Sequence, residues 1–204
     1  LKPLTLLIFS GVVEIAWAII CVMEISQAQR DVRITFVGGC PGTLASSLVW
    51  FASAIVATWV SFRAGAITLV ACGFFIYPLM LLMLRLMGKP SGLPKGHPMN
   101  ALGMQVAFVL PLMIPLVYAA TLYRHSLFYP MWMIATGAHY LPFMFSYGMK
   151  HFGVLAAVLI GLGYCLARYD PSLIAGAWLG AGVLLVFAFV GLWALRMEER
   201  KLVG

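Results

Sequence analysis

The chain has 204 residues, 63% of them hydrophobic and 9% charged, with a mean hydropathy of +1.01; soluble domains carry about 25% charged residues, so a water-soluble globular domain is excluded and an integral membrane protein is expected. Thirteen Lys and Arg against six Asp and Glu give a net charge of +7, but the cations stand singly in polar breaks and at the C-terminus, a pattern that concerns membrane topology and not nucleic acid. The four cysteines, Cys21, Cys40, Cys72 and Cys165, have no metal-ligand spacing and read as small packing residues.

The expected fold is all-α, a polytopic transmembrane helix bundle with a six-helix core and room for an extra N-terminal helix. Apolar length against Gly, Pro and charge boundaries gives spans at 4–23, 43–62, 65–87, 103–123, 128–148, 152–168 and 172–195. Continuous runs of this length are about twice what a barrel strand needs and do not alternate, which argues against strands. The first run, residues 1–22, carries Glu14 near its centre, a placement that costs about 3 kcal/mol on insertion scales. It reads as an extra helix, a signal-like segment or translated upstream sequence, with Met23 as an alternative start. Residues 23–42, beginning MEISQAQRDVR, read as a cytosolic amphipathic segment, 43–195 as the core, and RMEERKLVG at 196–204 as a cytosolic tail.

Between the spans 65–87 and 103–123 lies GKPSGLPKGHPMN, where Pro90, Pro94 and Pro98 preclude a helix and Asn100 is placed to cap the next one. In RYDPS, Asp170 is placed to cap the last helix with Pro171 at its first position. Counting basic residues on alternate sides puts Arg30, Arg33, Arg85, Lys89, Lys95, Lys150, Arg196, Arg200 and Lys201 together, nine in all, against Lys2, Arg63, Arg124 and Arg168. The more basic side, with both ends of the six-helix core, is expected to face the cytoplasm of a bacterial inner membrane.

The stretches AQRDVRITFVGGCPGTLASSLVWFASAIVA (28–57), YPLMLLMLRLMGKP (77–90) and TGAHYLPF (136–143) resemble a family of small bacterial multi-pass membrane proteins of unknown function. The resemblance covers about residues 23–195. It implies the six-helix core and supplies no activity to carry over.

The residues themselves offer little to an enzyme. GKPSGLPKG lacks the GK[ST] that opens a phosphate-binding helix, and HExxH, GxSxG and paired intramembrane carboxylates are missing from the core. No catalytic residue, metal site or cofactor is expected. Haem binding is disfavoured, because His97, His125 and His151 fall in or near loops and give His139 no second axial ligand at its depth.

Proline and polar stripes carry more. Pro78, Pro111, Pro115 and Pro142 fall inside three successive spans, and each removes a helix hydrogen bond; such kinks expose carbonyls at transporter sites or merely shape a bundle. At 100° per residue, Trp132, Thr136, His139, Tyr140, Phe143 and Tyr147 share one face, as do Ser46, Trp50, Ser53, Ala57 and Ser61. These faces are expected to turn inward, lining a solute cavity or packing helix on helix. His139, near the centre of its span, is expected to join Thr136, Tyr140 and Tyr147 in a hydrogen-bonded, partly hydrated network. The leading expectation is therefore movement of a small solute through a polar and aromatic interior; the alternative is a structural or accessory membrane protein without transport. Partners reduce to membrane lipid, a solute and, through the small pairs Gly176/Gly180 and Ala157/Gly161, a second copy.

Overall fold

The computed structural model describes residues 24–169 and 172–203. The apolar run 4–23 lies outside them, as do Asp170 and Pro171. Among the described residues there are eight α-helices and no strand: α1 Ile25–Thr35, α2 Cys40–Trp59, α3 Phe62–Gly73, α4 Ile76–Leu86, α5 Met99–Tyr123, α6 Phe128–Tyr147, α7 His151–Tyr169 and α8 Ala175–Val203.

Helices α2, α5, α7 and α8 are long and apolar enough to cross a membrane, and α3 with α4 makes a fifth span bent by 57°. The expected span 65–87 is thus two helices. Gly73 ends the first half, and Pro78, expected inside a helix, sits in the first turn of the second, where its missing N–H costs no intrahelical bond. Pro111 and Pro115 are spanned by the unbroken 25-residue α5, and Pro142 by α6. Although α6 has 20 residues, Thr136, His139, Ser146 and three tyrosines make it less apolar, and much of it is buried among its neighbours.

Two helices organise the bundle. Helix α2 packs against α8, α3 and α4, and α6 packs against α7, α5 and α1. Small residues set the closest approaches. Ala177, Ala181, Leu184 and Ala188 are fully buried along α8. A Cβ at Gly180 would lie 2.5 Å from the Trp50 ring of α2, and one at Gly176 2.7 Å from Cβ of Tyr129 on α6. The Gly176/Gly180 pair therefore makes contacts within one chain. On α7, Gly161 faces open space, while the tight position is Gly163, whose Cβ would lie 2.7 Å from the Pro130 carbonyl.

Three terminal details differ from expectation. Asn100 does not cap α5, which begins at Met99; the Met99 N–H donates to Nδ1 of His97 (3.2 Å), and Asn100 donates back to the Pro94 carbonyl (2.9 Å). Helix α8 begins at Ala175, whose N–H donates to Oγ of Ser172 (3.1 Å), so the serine caps it. Ser61, placed by its spacing on the α2 stripe, lies beyond α2 and caps α3 by accepting from the Ala64 N–H (3.1 Å). At the C-terminus, the expected tail continues α8 as helix to Val203.

Helix α1 lies across one end of the bundle with Ala28 and Val32 buried against Met99 and the partly buried Leu93, Leu102 and Tyr147. Its polar face is fastened as well. Gln29 donates to the Phe145 carbonyl and Arg33 to the Tyr147 carbonyl, both at 2.7 Å. The last turn of any helix leaves its carbonyls without intrahelical donors, and α1 supplies two of them. Arg33 also pairs with Glu198 of α8 at 2.9 Å. The turn from α1 to α2 runs through Val37, Gly38 and Gly39 at φ +51, +61 and +79, and the glycines are needed twice over, since a Cβ at Gly38 would lie 2.7 Å from the Gly191 carbonyl.

Candidate functional site

Between α2 and α6 runs a seam of hydroxyls and aromatic rings, and the positions of its residues follow from helix geometry. Taking Tyr129 as 0°, Trp132, Thr136, Tyr140, Phe143 and Tyr147 all project within about 60° of it, whereas His139 projects at about 280°, at the edge of the stripe. Trp132, Thr136 and Tyr140 are correspondingly buried.

Two hydroxyl relays cross the seam. At one level Ser53 donates to the Gly65 carbonyl of α3 (2.9 Å) and lies 2.9 Å from the Tyr129 hydroxyl. Because serine has a single proton, already given to the carbonyl, the tyrosine must donate to Ser53. At the other level Tyr140 donates to Ser46 at 3.4 Å, and Ser46 donates to the Gly42 carbonyl at 3.0 Å. Ser46 and Ser53 are seven residues apart, which separates the levels by about 10 Å along α2. Between them Trp50 meets the Tyr129 ring at 6.3 Å. Toward the α1 end, Tyr140 stacks on Phe152 of α7 with centroids 6.1 Å apart, and Tyr147 packs on Phe152 at 4.9 Å and on Phe36 at 6.5 Å.

His139 stands apart from both relays. Its ring meets the Val106 backbone of α5 and contacts Tyr140 and Phe143 edge-on at 5.6 and 5.1 Å, while its Nδ1 is buried without a hydrogen-bond partner. Trp132 Nε1 is likewise buried and unpartnered. The four hydroxyl and imidazole groups expected to meet on one helix are therefore divided: Tyr140 reaches α2, His139 reaches α5, Tyr147 lies in the aromatic cluster, and Thr136 is buried between them. Of the other histidines, His97 is in the loop before α5, His125 in the turn before α6, and His151 opens α7.

Two open grooves lie on the outside of the bundle, and neither is lined by a residue of the seam. One, of about 650 Å³, runs between α1, the end of α6 and the start of α7; the other, of about 330 Å³, follows α8 past Trp178, Gly182 and Phe187.

Tyr129 is the seam residue that the sequence reading missed. It is 1% exposed and lies at the centre of the stripe; extending the projection one turn toward the start of α6 finds it. Ser47, which donates to the Ala181 carbonyl of α8 at 2.9 Å, carried no such signal, because one residue's rotation from Ser46 turns it to a different neighbour.

These features define a class: an all-α bundle, several of whose helices are long and apolar enough to cross a membrane, with a hydroxyl and aromatic seam at its centre, fitting an integral membrane protein. The chain belongs to a family of unknown function (DUF7010), whose model matches residues 25–195. Neither a curated protein nor a solved structure matches it.

Proposed function

We propose that the protein is a non-enzymatic, structural or accessory component of the membrane, and that the seam is a rigid packing device and not a conduit. The observation that carries this reading is the end point of both relays: each tyrosine proton passes to a serine, and each serine proton ends on a backbone carbonyl of the same chain. A closed pair of this kind fixes two helices in register and leaves neither relay a free hydroxyl proton to bind or pass on a solute. Proteoliposomes containing the full chain should show no small-solute or proton flux above protein-free vesicles, and His139→Phe should leave that baseline unchanged. A flux that His139→Phe abolishes would overturn the proposal.

A second reading is favoured by the unpartnered Nδ1 of His139 and Nε1 of Trp132. Buried polar atoms without partners cost about 1–3 kcal/mol each, and α5, which packs mainly on α6, is the helix whose displacement would expose His139. In this reading a small polar solute moves between α5 and α6, and the same flux measurement separates the two.

The orientation proposed is that of the basic asymmetry. Contacts place α1, the loop before α5, the α6–α7 turn and the end of α8 at one end of the molecule: Asp31 faces His97 at 3.6 Å, Gln29 reaches Phe145, and Arg33 reaches Glu198. That end would face the cytoplasm of a bacterial inner membrane, with Arg63, Arg124 and Arg168 opposite.

A further inference from the structure

The larger outer groove joins two chemistries. Its floor is apolar, made by Met144 and Phe145 of α6 and Val154 and Ala157 of α7, with Gly148 and Gly153 also lining it; Gln29 and Met144 lie close against these glycines. Its mouth is polar, formed by Gln29 of the amphipathic α1 and by Lys150 in the α6–α7 turn. Lys150 is exposed and has no ion pair with a described residue. Arg30, adjacent to Gln29, is also exposed, and the Arg33 guanidinium lies 3.0 Å from where a Cβ of Gly148 would stand. The groove therefore runs from the basic end of the bundle, where α1 would lie at the membrane–water boundary, down the lipid-facing side of the α6–α7 pair.

From this geometry we infer a binding site for an anionic glycerophospholipid, with its phosphate at Lys150 and one acyl chain laid between α6 and α7. The floor fits a hydrocarbon chain because it offers no hydrogen-bonding side chain below the mouth. The mouth favours an anionic headgroup because an unpaired ammonium at the boundary attracts anionic lipid more than zwitterionic lipid. The inference stands independently of whether the seam conducts a solute and of which end faces the cytoplasm.

Native mass spectrometry of the delipidated full chain, offered equimolar phosphatidylglycerol and phosphatidylcholine with identical acyl chains, tests it. Phosphatidylglycerol should be retained preferentially, by about fivefold for one such cation. Lys150→Gln should remove the preference without reducing phosphatidylcholine adducts, and Lys150→Arg should keep it. Gly153→Leu, which would crowd Met144 Sδ (2.8 Å from the added Cβ) into the groove, should lower retention of both lipids, with the melting temperature confirming that each variant folds. Equal retention of the two lipids by the wild type, an unchanged preference in Lys150→Gln, or competition by glycerol 3-phosphate at the same concentration as the lipid would overturn the assignment. So would dimer formation that excludes lipid and is lost in Gly153→Leu, since the groove would then hold a second copy.

Discussion

At the scale of single residues, the seam is held by protons with only one place to go. Tyr129 gives its proton to Ser53 because Ser53 has spent its own on Gly65. Tyr129→Phe should therefore cost about 1 kcal/mol, the net worth of one buried hydrogen bond. Ser53→Ala should cost more, because it leaves both the Gly65 carbonyl and the Tyr129 hydroxyl without a partner. The double substitution should fall short of the sum, since both changes remove the same bond. Thermal unfolding of the four proteins in one detergent checks this, and strict additivity would count against the relay. His97 is constrained in a similar way. Its Nδ1 accepts from Met99, so a neutral ring carries its proton on Nε2, which points toward Asp31.

At the scale of elements, backbone proximity sets which small residues matter. Gly163 and Gly161 are two positions apart on α7, yet a methyl at 163 would press on the Pro130 carbonyl, and one at 161 would meet nothing within 4 Å. Gly163→Ala should destabilise by about 1–3 kcal/mol, the usual range for overpacking against atoms that cannot yield. Gly161→Ala should be neutral or slightly stabilising, because alanine is the better helix former. Equal melting temperatures for the two variants would contradict the packing described. Helix α1 is held by side chains more than by burial, since only Ala28 and Val32 of its residues are buried. Arg33→Met removes the donor to Tyr147 and the partner of Glu198 together, so hydrogen exchange over residues 25–35 should accelerate at least several-fold with little change in α2.

At the scale of the whole molecule, nine basic residues gather at one end and three described ones at the other. Under the proposed orientation, a cysteine introduced at Ser91, in a variant lacking the native cysteines, should react with an impermeant maleimide only after the inner membrane is opened. Labelling of intact spheroplasts would reverse the topology. The fold class and the core helices were legible in the sequence, because apolar length and the rarity of charge are local quantities: each of the six expected core spans coincides with a helix or with the bent pair α3 and α4, although α6 is not among those long and apolar enough to cross a membrane. The inward faces of α2 and α6 were legible for the same reason, since a period of 3.6 residues converts spacing into direction. What periodicity does not contain is the identity of the neighbour. His139 and Tyr140 are adjacent in the chain, and the 100° between them sends one to α5 and the other to α2. Likewise, nothing local distinguishes Gly163 from Gly161, or shows that Gln29 and Arg33 would reach carbonyls more than a hundred residues away. The sequence by itself determined which segments form the long apolar helices and which faces of α2 and α6 turn inward, because those depend on each segment's own composition; only the tertiary structure decided which hydroxyl meets which carbonyl and where the grooves open, because those depend on how helices distant in sequence cross.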